Sequence, residues 1–323
     1  MQNGIVFLLN ALVFVSCKET TPSNGPIISN EPFKPVFTQV WNPGQINTVY
    51  VGPSGNIYAG TMESLFKSSD DGLSWTRCNI PSDKISVDCI CEPISGTVFV
   101  GSGGCSQQIG VIRSTDNGVT WTIVNEGLTD YCMNTITFKP PNMLFAGTAY
   151  HIYRSSDNGD SWVAARSSGV YWKMVYCIFA LDTVNILAGI GAGLYRSSNN
   201  GDSWMPIDTI DSYRSIAQTN NGIILTVCSP YSHPGLSRST DLGTHWNYLT
   251  TGLWNEWTYQ VMTGSGGIAY VLGRYQIART KDNGDSWSVS DSVQSNFISI
   301  ALAKDGKLIA GGSNGFYIST NAP

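Results

Sequence analysis

The chain repeats itself. The pattern Ser-x-Asp-x-Gly-x-Ser/Thr-Trp occurs at 68–75 (SSDDGLSW), 114–121 (STDNGVTW) and 155–162 (SSDNGDSW). It returns with single departures at 197–204 (SSNNGDSW), 239–246 (STDLGTHW) and 280–287 (TKDNGDSW). The six tryptophans stand 46, 41, 42, 42 and 41 residues apart. A period of this length is that of four short strands forming one blade of a radial repeat. One such sheet cannot bury both of its faces, so the copies have to pack on one another.

Upstream of each motif lie two short stretches, the second ending in glycine, as in Asn56-Ile57-Tyr58-Ala59-Gly60, Met143-Leu144-Phe145-Ala146-Gly147 and Asn185-Ile186-Leu187-Ala188-Gly189. Apolar alternation predicts strands, and the Gly, Ser and Asn residues between them predict hairpins. Each unit reads strand, hairpin, strand, loop, strand, motif hairpin, strand, with no helix. Composition agrees: charged residues are 13% of the chain against about 25% in an average globular protein, while 34 Gly, 15 Tyr and 10 Trp suit strands joined by tight turns. The ends complete each other. Phe316-Tyr317-Ile318-Ser319-Thr320-Asn321 begins a seventh motif, and Phe37-Thr38-Gln39-Val40 followed by Asn47-Thr48-Val49-Tyr50 parallels Trp121-Thr122-Ile123-Val124 followed by Asn134-Thr135-Ile136-Thr137. The expected fold is therefore all-β: a seven-bladed β-propeller of four-stranded blades over 36–323, closed by an N-terminal strand entering the last blade. Such closure removes two open sheet edges.

Inside the motif, Asp70, Asp116, Asp157, Asp241 and Asp282, with Asn199 in the fourth copy, are placed to accept hydrogen bonds from nearby backbone N–H groups and hold a turn. The glycine two positions on supplies a positive φ, and the tryptophan buries a large ring against a neighbouring sheet. Six near-identical carboxylates spread around a ring cannot converge on one substrate, so they are read as structural rather than catalytic. The arginine before most motifs (Arg113, Arg154, Arg196, Arg238, Arg279) belongs to the same periodic set.

These motifs match the Asp-box, or BNR repeat, and the chain from about Phe37 onward resembles the Asp-box propellers that include the sialidases. The resemblance implies the fold; it leaves activity open, because the same box occurs in enzymes, receptors and assembly factors. A sialidase-like site would require three converging arginines, a Tyr-Glu pair and an acid Asp. This sequence lacks the Arg-Ile-Pro motif, and only Arg77, Arg166, Arg214 and Arg274 lie outside the periodic set.

The N-terminus is read separately. Residues 5–15 (IVFLLNALVFV) are too short to span a bilayer as a helix and are the length of a signal-peptide core. Phe14-Val15-Ser16-Cys17 resembles a bacterial lipobox, which implies that 1–17 is a signal peptide with a lipobox-like end, that cleavage falls before Cys17 and that Cys17 carries a lipid, hence an outer-membrane or cell-surface lipoprotein. Residues 18–35 hold four prolines and no strand-period pattern, so they read as a flexible tether. Seven cysteines remain after Cys17, an odd number that excludes a complete disulfide framework. Cys89, Cys132 and Cys177 read as small buried core residues, and Cys78, Cys91, Cys105 and Cys228 have no CxxC spacing, so no zinc or other metal site is expected. No cofactor is implied. A net charge of -5 without a cluster of Lys and Arg argues against nucleic acid.

In a blade with this strand order, the blade-to-blade connections share a face with the loops after the second strand, opposite the motif hairpins. Six tryptophans lie in the motifs and Trp41 in the closing segment; Trp172, Trp254 and Trp257 all fall in blade-to-blade connections. Tyr131, Tyr150, His151, Tyr171, Tyr213, Arg214, Tyr231, His233, Glu256, Arg274 and Tyr275 fall in loops of the same face. An aromatic-rich face with a few charges suits a glycan or protein ligand. Asp130, Asp211 and Glu256 are the carboxylates on that side, with no pair marked out for glycoside hydrolysis. Three functions fit: a non-enzymatic, monomeric binding protein exported to the surface; a sialidase-like glycoside hydrolase; and an assembly factor resembling the photosystem II assembly factor family.

Overall fold

The computed structural model describes residues 27–28, 33–82, 84–103, 109–166, 173–229, 235–249, 258–293 and 296–320. Their regular structure is all strand, arranged as seven blades of four antiparallel strands, one of which carries a fifth, parallel strand at its outer edge. The first blade consists of Ile46–Val51, Ile57–Thr61, Leu65–Ser68 and Thr76–Arg77, and the same order recurs in blades two to six. The leading strands of the blades are Ile46–Val51, Val87–Ile94, Met133–Lys139, Val175–Ala180, Tyr213–Gln218, Thr258–Thr263 and Phe297–Leu302. Each touches the leading strand of the next blade, and the seventh touches the first. That pairwise chain of contacts is a closed ring, with the leading strands innermost around a central channel.

Closure follows the expected route. The seventh blade holds Phe297–Leu302, Leu308–Gly312 and Gly315–Ser319, and its fourth strand is Phe37–Trp41 from the other end of the chain. The pairing is antiparallel, with Phe37 opposite Ser319 and Trp41 opposite Phe316. Trp41 stacks on Trp75 of the first blade with centroids 4.6 Å apart and meets Phe66 edge-on at 4.8 Å. The closing strand thus also seals the seam between blades seven and one.

The tether boundary at Pro35 requires correction. Phe33 is 3% exposed and packs on Tyr270, and the Arg279 guanidinium lies 4.6 Å from the centre of its ring. Ile27–Ile28 runs parallel to the outer strand of blade six, opposite Ser286 and Trp287. Cys17 and the proposed signal segment lie outside the described residues.

The motif hairpins explain why the repeat has its spelling. In the third copy Asp157 Oδ1 accepts from Ser155 Oγ (2.6 Å) and from the backbone N–H of Ser161 (3.0 Å), while Ser161 Oγ donates to Oδ2 (2.5 Å). Asn199 in the fourth copy accepts from Ser197 Oγ and the Ser203 N–H, and turns its amide toward Ser203 Oγ. Two consecutive residues are left-handed here, not the glycine alone: Asn158 at φ 59° and Gly159 at φ 81°. Asn and Gly tolerate that region best.

Each hairpin is also a seam. The tryptophan shares a core with the preceding blade's second strand: Trp121 with Tyr58, Trp162 with Phe99, Trp204 with Phe145, Trp287 with Leu225. The periodic basic side chains reach across the same seams. Lys67 donates to the Asn117 carbonyl, Arg113 to that of Asn158, Arg154 to that of Asn200, Arg196 to that of Leu242 and Arg238 to that of Asn283. Arg113, Arg154 and Arg238 add ion pairs to Asp160, Asp202 and Asp285.

This chemistry sets an acid limit. The Ser74 hydroxyl and N–H, with the Ser68 hydroxyl, hold Asp70 at about 2, and the Thr120 hydroxyl and N–H do the same for Asp116. At Asp157 burial pulls upward, and the Ser155 and Ser161 hydroxyls outweigh it, again to about 2. Folded values below the unfolded 3.8 mean that the stabilisation is complete above about pH 4 and is lost as pH falls toward 2. The melting temperature is therefore expected to change little from pH 7 to 5 and to drop between pH 4 and 2. A flat profile through that window would show that these carboxylates add nothing to stability.

Candidate binding site at the channel mouth

Strand order puts the motif hairpins on one face of the ring, and the blade-to-blade connections, with the loops after each second strand, on the other. Of the residues expected on that second face, Tyr171, Trp172, Tyr231, His233, Trp254, Glu256 and Trp257 lie outside the described residues. The rest can be placed. Tyr213 is not a surface ring: it is 1% exposed, and its hydroxyl donates to Asp208 Oδ2, which also accepts from Tyr248. Burial, then the bond to Asp208, pushes its phenol far up, so it is a fixed donor that latches the corner between blades four and five. Tyr131 is half-buried against the core of blade three. Arg274 and Tyr275 sit together in one loop of blade six, the guanidinium 5.2 Å from the ring centre.

Two of the carboxylates weighed for catalysis are described. Asp130 is a loop staple, accepting from the Cys132 and Tyr150 backbone N–H groups. Asp211 is buried at 1% exposure. Tyr150 beside the staple is exposed, and the His151 ring is tilted on Tyr153 at 5.6 Å.

The feature that singles out this face was not foreseen. In every leading strand the pairing register slips between the first and third residues, so the second residue is bulged out of the ladder. The bulged residues, blade by blade, are Asn47, Asp88, Asn134, Tyr176, Arg214, Tyr259 and Ile298. A bulge re-aims the side chain it carries. Here it does so at the end of the innermost strand where the blade-to-blade connection enters, which is the mouth of the channel. Neighbours in this ring touch: Asn47 Nδ2 donates to Asp88 Oδ1 at 2.9 Å, and the Arg214 guanidinium lies 5.0 Å from the centre of the Tyr176 ring. Arg214 Nε is further held by Ser229 Oγ at 3.0 Å.

The third residue does the opposite work in the leading strands of blades five, six and seven. Ser215 Oγ bonds the Val261 backbone, Gln260 exchanges two bonds with Ile300, and Ser299 Oγ accepts from the Val49 N–H. These join blade to blade, leaving the bulged column as the variable one.

No family model matches the chain, and no curated protein sequence does. Solved structures match closely in shape. YCF48 bound to D1 peptide superposes with a TM-score of 0.70 at 15% identity, over 92% of this chain and 99% of that one. Virginiamycin B lyase from Staphylococcus aureus gives 0.74 at 14%, over 88% and 98%. The GH74 xyloglucanase from Xanthomonas campestris gives 0.71 at 14%, over 89% of this chain and 54% of that one. The fold is a seven-bladed propeller. At these identities the likeness carries the architecture alone.

Within the propeller the cysteines divide by position. Cys89 and Cys177 are the third residues of their leading strands, Cys89 buried and Cys177 half-buried at the blade seams, and desolvation pushes the Cys177 thiol up to about 12. Cys78, Cys91 and Cys228 are also free and buried, with thiols raised to about 11, 12 and 12 by desolvation. Such thiols stay protonated and unreactive at neutral pH. Cys132 departs from the expected core thiol: it is disulfide-bonded. Among the described residues no group of three or more His, Cys, Asp or Glu could hold a metal ion.

Proposed function

We propose that this protein is a non-enzymatic binding propeller, exported and anchored through Cys17, that takes a segment of another polypeptide at its channel mouth. One observation carries the reading: seven side chains of five kinds are turned by bulges onto one ring, whereas the repeated carboxylates are used up in hairpins on the opposite face. Uniform positions build the scaffold, and the variable ring is left for recognition. The repeat chemistry supports an Asp-box relationship. The peptide bound to the similarly shaped YCF48 favours a polypeptide over a glycan, and the ring's mixture of amide, acid, phenol and guanidinium suits peptide groups.

The test is selection from a displayed library of random peptides, run beside a glycan array. Selected peptides are expected to bind the wild type and to lose about tenfold or more with Arg214→Ala, roughly the effect of an interface anchor. The variant's melting temperature should change little. Glycan binding without any peptide selection would overturn the proposal, as would release of a fluorogenic sialoside.

A further inference from the structure

We infer that Asp88 determines which peptides the channel mouth takes, and that it binds an ammonium group of the ligand, either a lysine side chain or a free amino terminus. The inference rests on the polypeptide-binding reading above and specifies what that polypeptide has to carry.

Asp88 is the bulged residue of blade two, and its neighbours on the ring, Asn47 of blade one and Asn134 of blade three, are both neutral. Its carboxylate is held by one oxygen. Oδ1 accepts from Asn47 Nδ2 and Ser86 Oγ, both at 2.9 Å. Asn47 is itself fixed, because its Nδ2 also reaches Ser86 Oγ and its Oδ1 accepts from Gln45 Nε2, each at 3.1 Å. Asp88 Oδ2 stands over the bare Cα of Gly103, where a Cβ would collide with it, and accepts no hydrogen bond among the described residues. The Gly103 N–H donates to the Ser86 carbonyl, so the surface behind Oδ2 is held as well.

The carboxylates that staple loops in this fold spend both oxygens. Asp130 divides its two between the Cys132 and Tyr150 N–H groups, Glu92 between the Gly96 N–H and the Ser54 hydroxyl, and Asp157 between the Ser155 and Ser161 hydroxyls. Asp88 puts both of its bonds on one oxygen. The residue is half-buried, and Oδ2 is not one of the enclosed polar atoms that lack a partner, so a group entering the mouth can reach it. Among the described residues no cation pairs with Asp88. A half-buried carboxylate gains from an opposite charge beside it, and partial burial protects such a pair from screening by salt. The acid is held ready, and its counter-charge is left for the ligand to bring.

The way the carboxylate is held decides which cation suits it. A guanidinium meets a carboxylate best through two oxygens side by side, and here Oδ1 already holds two donors. An ammonium is a compact point charge that needs only one oxygen. Asn47 and Ser86 have also fixed the Asp88 side chain beforehand, so the ligand does not have to order it on binding.

The test starts from the random-peptide library selected on the full chain. The best selected peptide is synthesised as it stands, with each lysine replaced by norleucine, with each lysine replaced by arginine, and with its amino terminus acetylated. Affinity for the wild type is expected to fall at least tenfold in the norleucine form if a lysine is the source, or in the acetylated form if the terminus is, and the arginine form should bind more weakly than the lysine one. Asp88→Asn should weaken the parent peptide at least tenfold and should erase the difference between parent and neutralised forms. The amide keeps an oxygen for Asn47 and Ser86, so the melting temperature should be retained; if it is not, the comparison of peptide forms on the wild type still decides. Neutralised forms that bind as tightly as the parent, an arginine form as tight as the lysine one, or undiminished binding to a folded Asp88→Asn variant would overturn the ammonium site while leaving peptide binding intact. Failure of the library to yield any peptide would instead remove the underlying reading.

Discussion

Deletion of residues 1–41 is expected to lower the melting temperature by about 10 °C or more, whereas deletion of 1–26 leaves it unchanged. The larger deletion removes the fourth strand of blade seven and bares the edge of Gly315–Ser319. It also takes away Trp41, which stacks on Trp75 and meets Phe66 edge-on. Loss of a well-packed aromatic alone costs about 3–5 kcal/mol when fully buried, and about 2–4 °C per kcal/mol is usual for a chain of this size. Deletion of 1–36 should fall between, because it removes Phe33 from Tyr270 and Arg279 but spares the strand. Identical melts for the 1–36 and 1–41 deletions would show that strand exchange contributes nothing.

Gly189→Val is expected to destabilise by about 3 kcal/mol. Gly60, Gly101, Gly147, Gly189 and Gly311 occupy the same place in the second strands of five blades, where the sheet comes closest to the next one. A Cβ on Gly189 would overlap the Tyr213 carbonyl oxygen and crowd Cys177 Sγ. Backbone atoms cannot step aside as a flexible side chain can, and overpacking of this kind costs about 1–3 kcal/mol or more. Chemical denaturation would measure it. A variant as stable as the wild type would mean that the blades can spread at that seam.

What the sequence discloses follows from where the chemistry lies. The hairpins were legible because their bonds are local: Asp157 meets partners two and four residues away, so a short pattern holds the whole device. Closure was legible because an incomplete last unit and an extra first strand complete each other. Phe33 was missed for the converse reason. One ring in a proline-rich stretch has no period, yet it sits against Tyr270, the counterpart in blade six of Tyr58, Phe99 and Phe145, which pack against hairpin tryptophans in other blades. Tyr213 and Arg214 are adjacent and looked equivalent. Only the fold sends the first inward to Asp208 and the second to the mouth. The bulged ring escaped notice because one inserted residue breaks strict alternation, and alternation is what identifies a strand. With the leading strands aligned as INTVYV, VDCICE, MNTITF, VYCIFA, YRSIAQ, TYQVMT and FISIAL, the second column is the one that carries both signs of charge.

The clasp has a consequence for biosynthesis. Thr320 donates to the Val36 carbonyl across 284 positions, and Gln39 reaches Asn314 across 275. The strand that finishes the ring is therefore made some 275 positions before its partner. Every earlier blade can gather its own four strands as it emerges, but the seventh combines strands from two distant stretches of the chain. Contacts this distant in sequence are slow to form, so Phe37–Trp41 has to wait unpaired until Gly315–Ser319 has been made. The polar spelling of Phe37-Thr38-Gln39, with exposed Thr38 and Gln39, suits a strand that spends that interval in water.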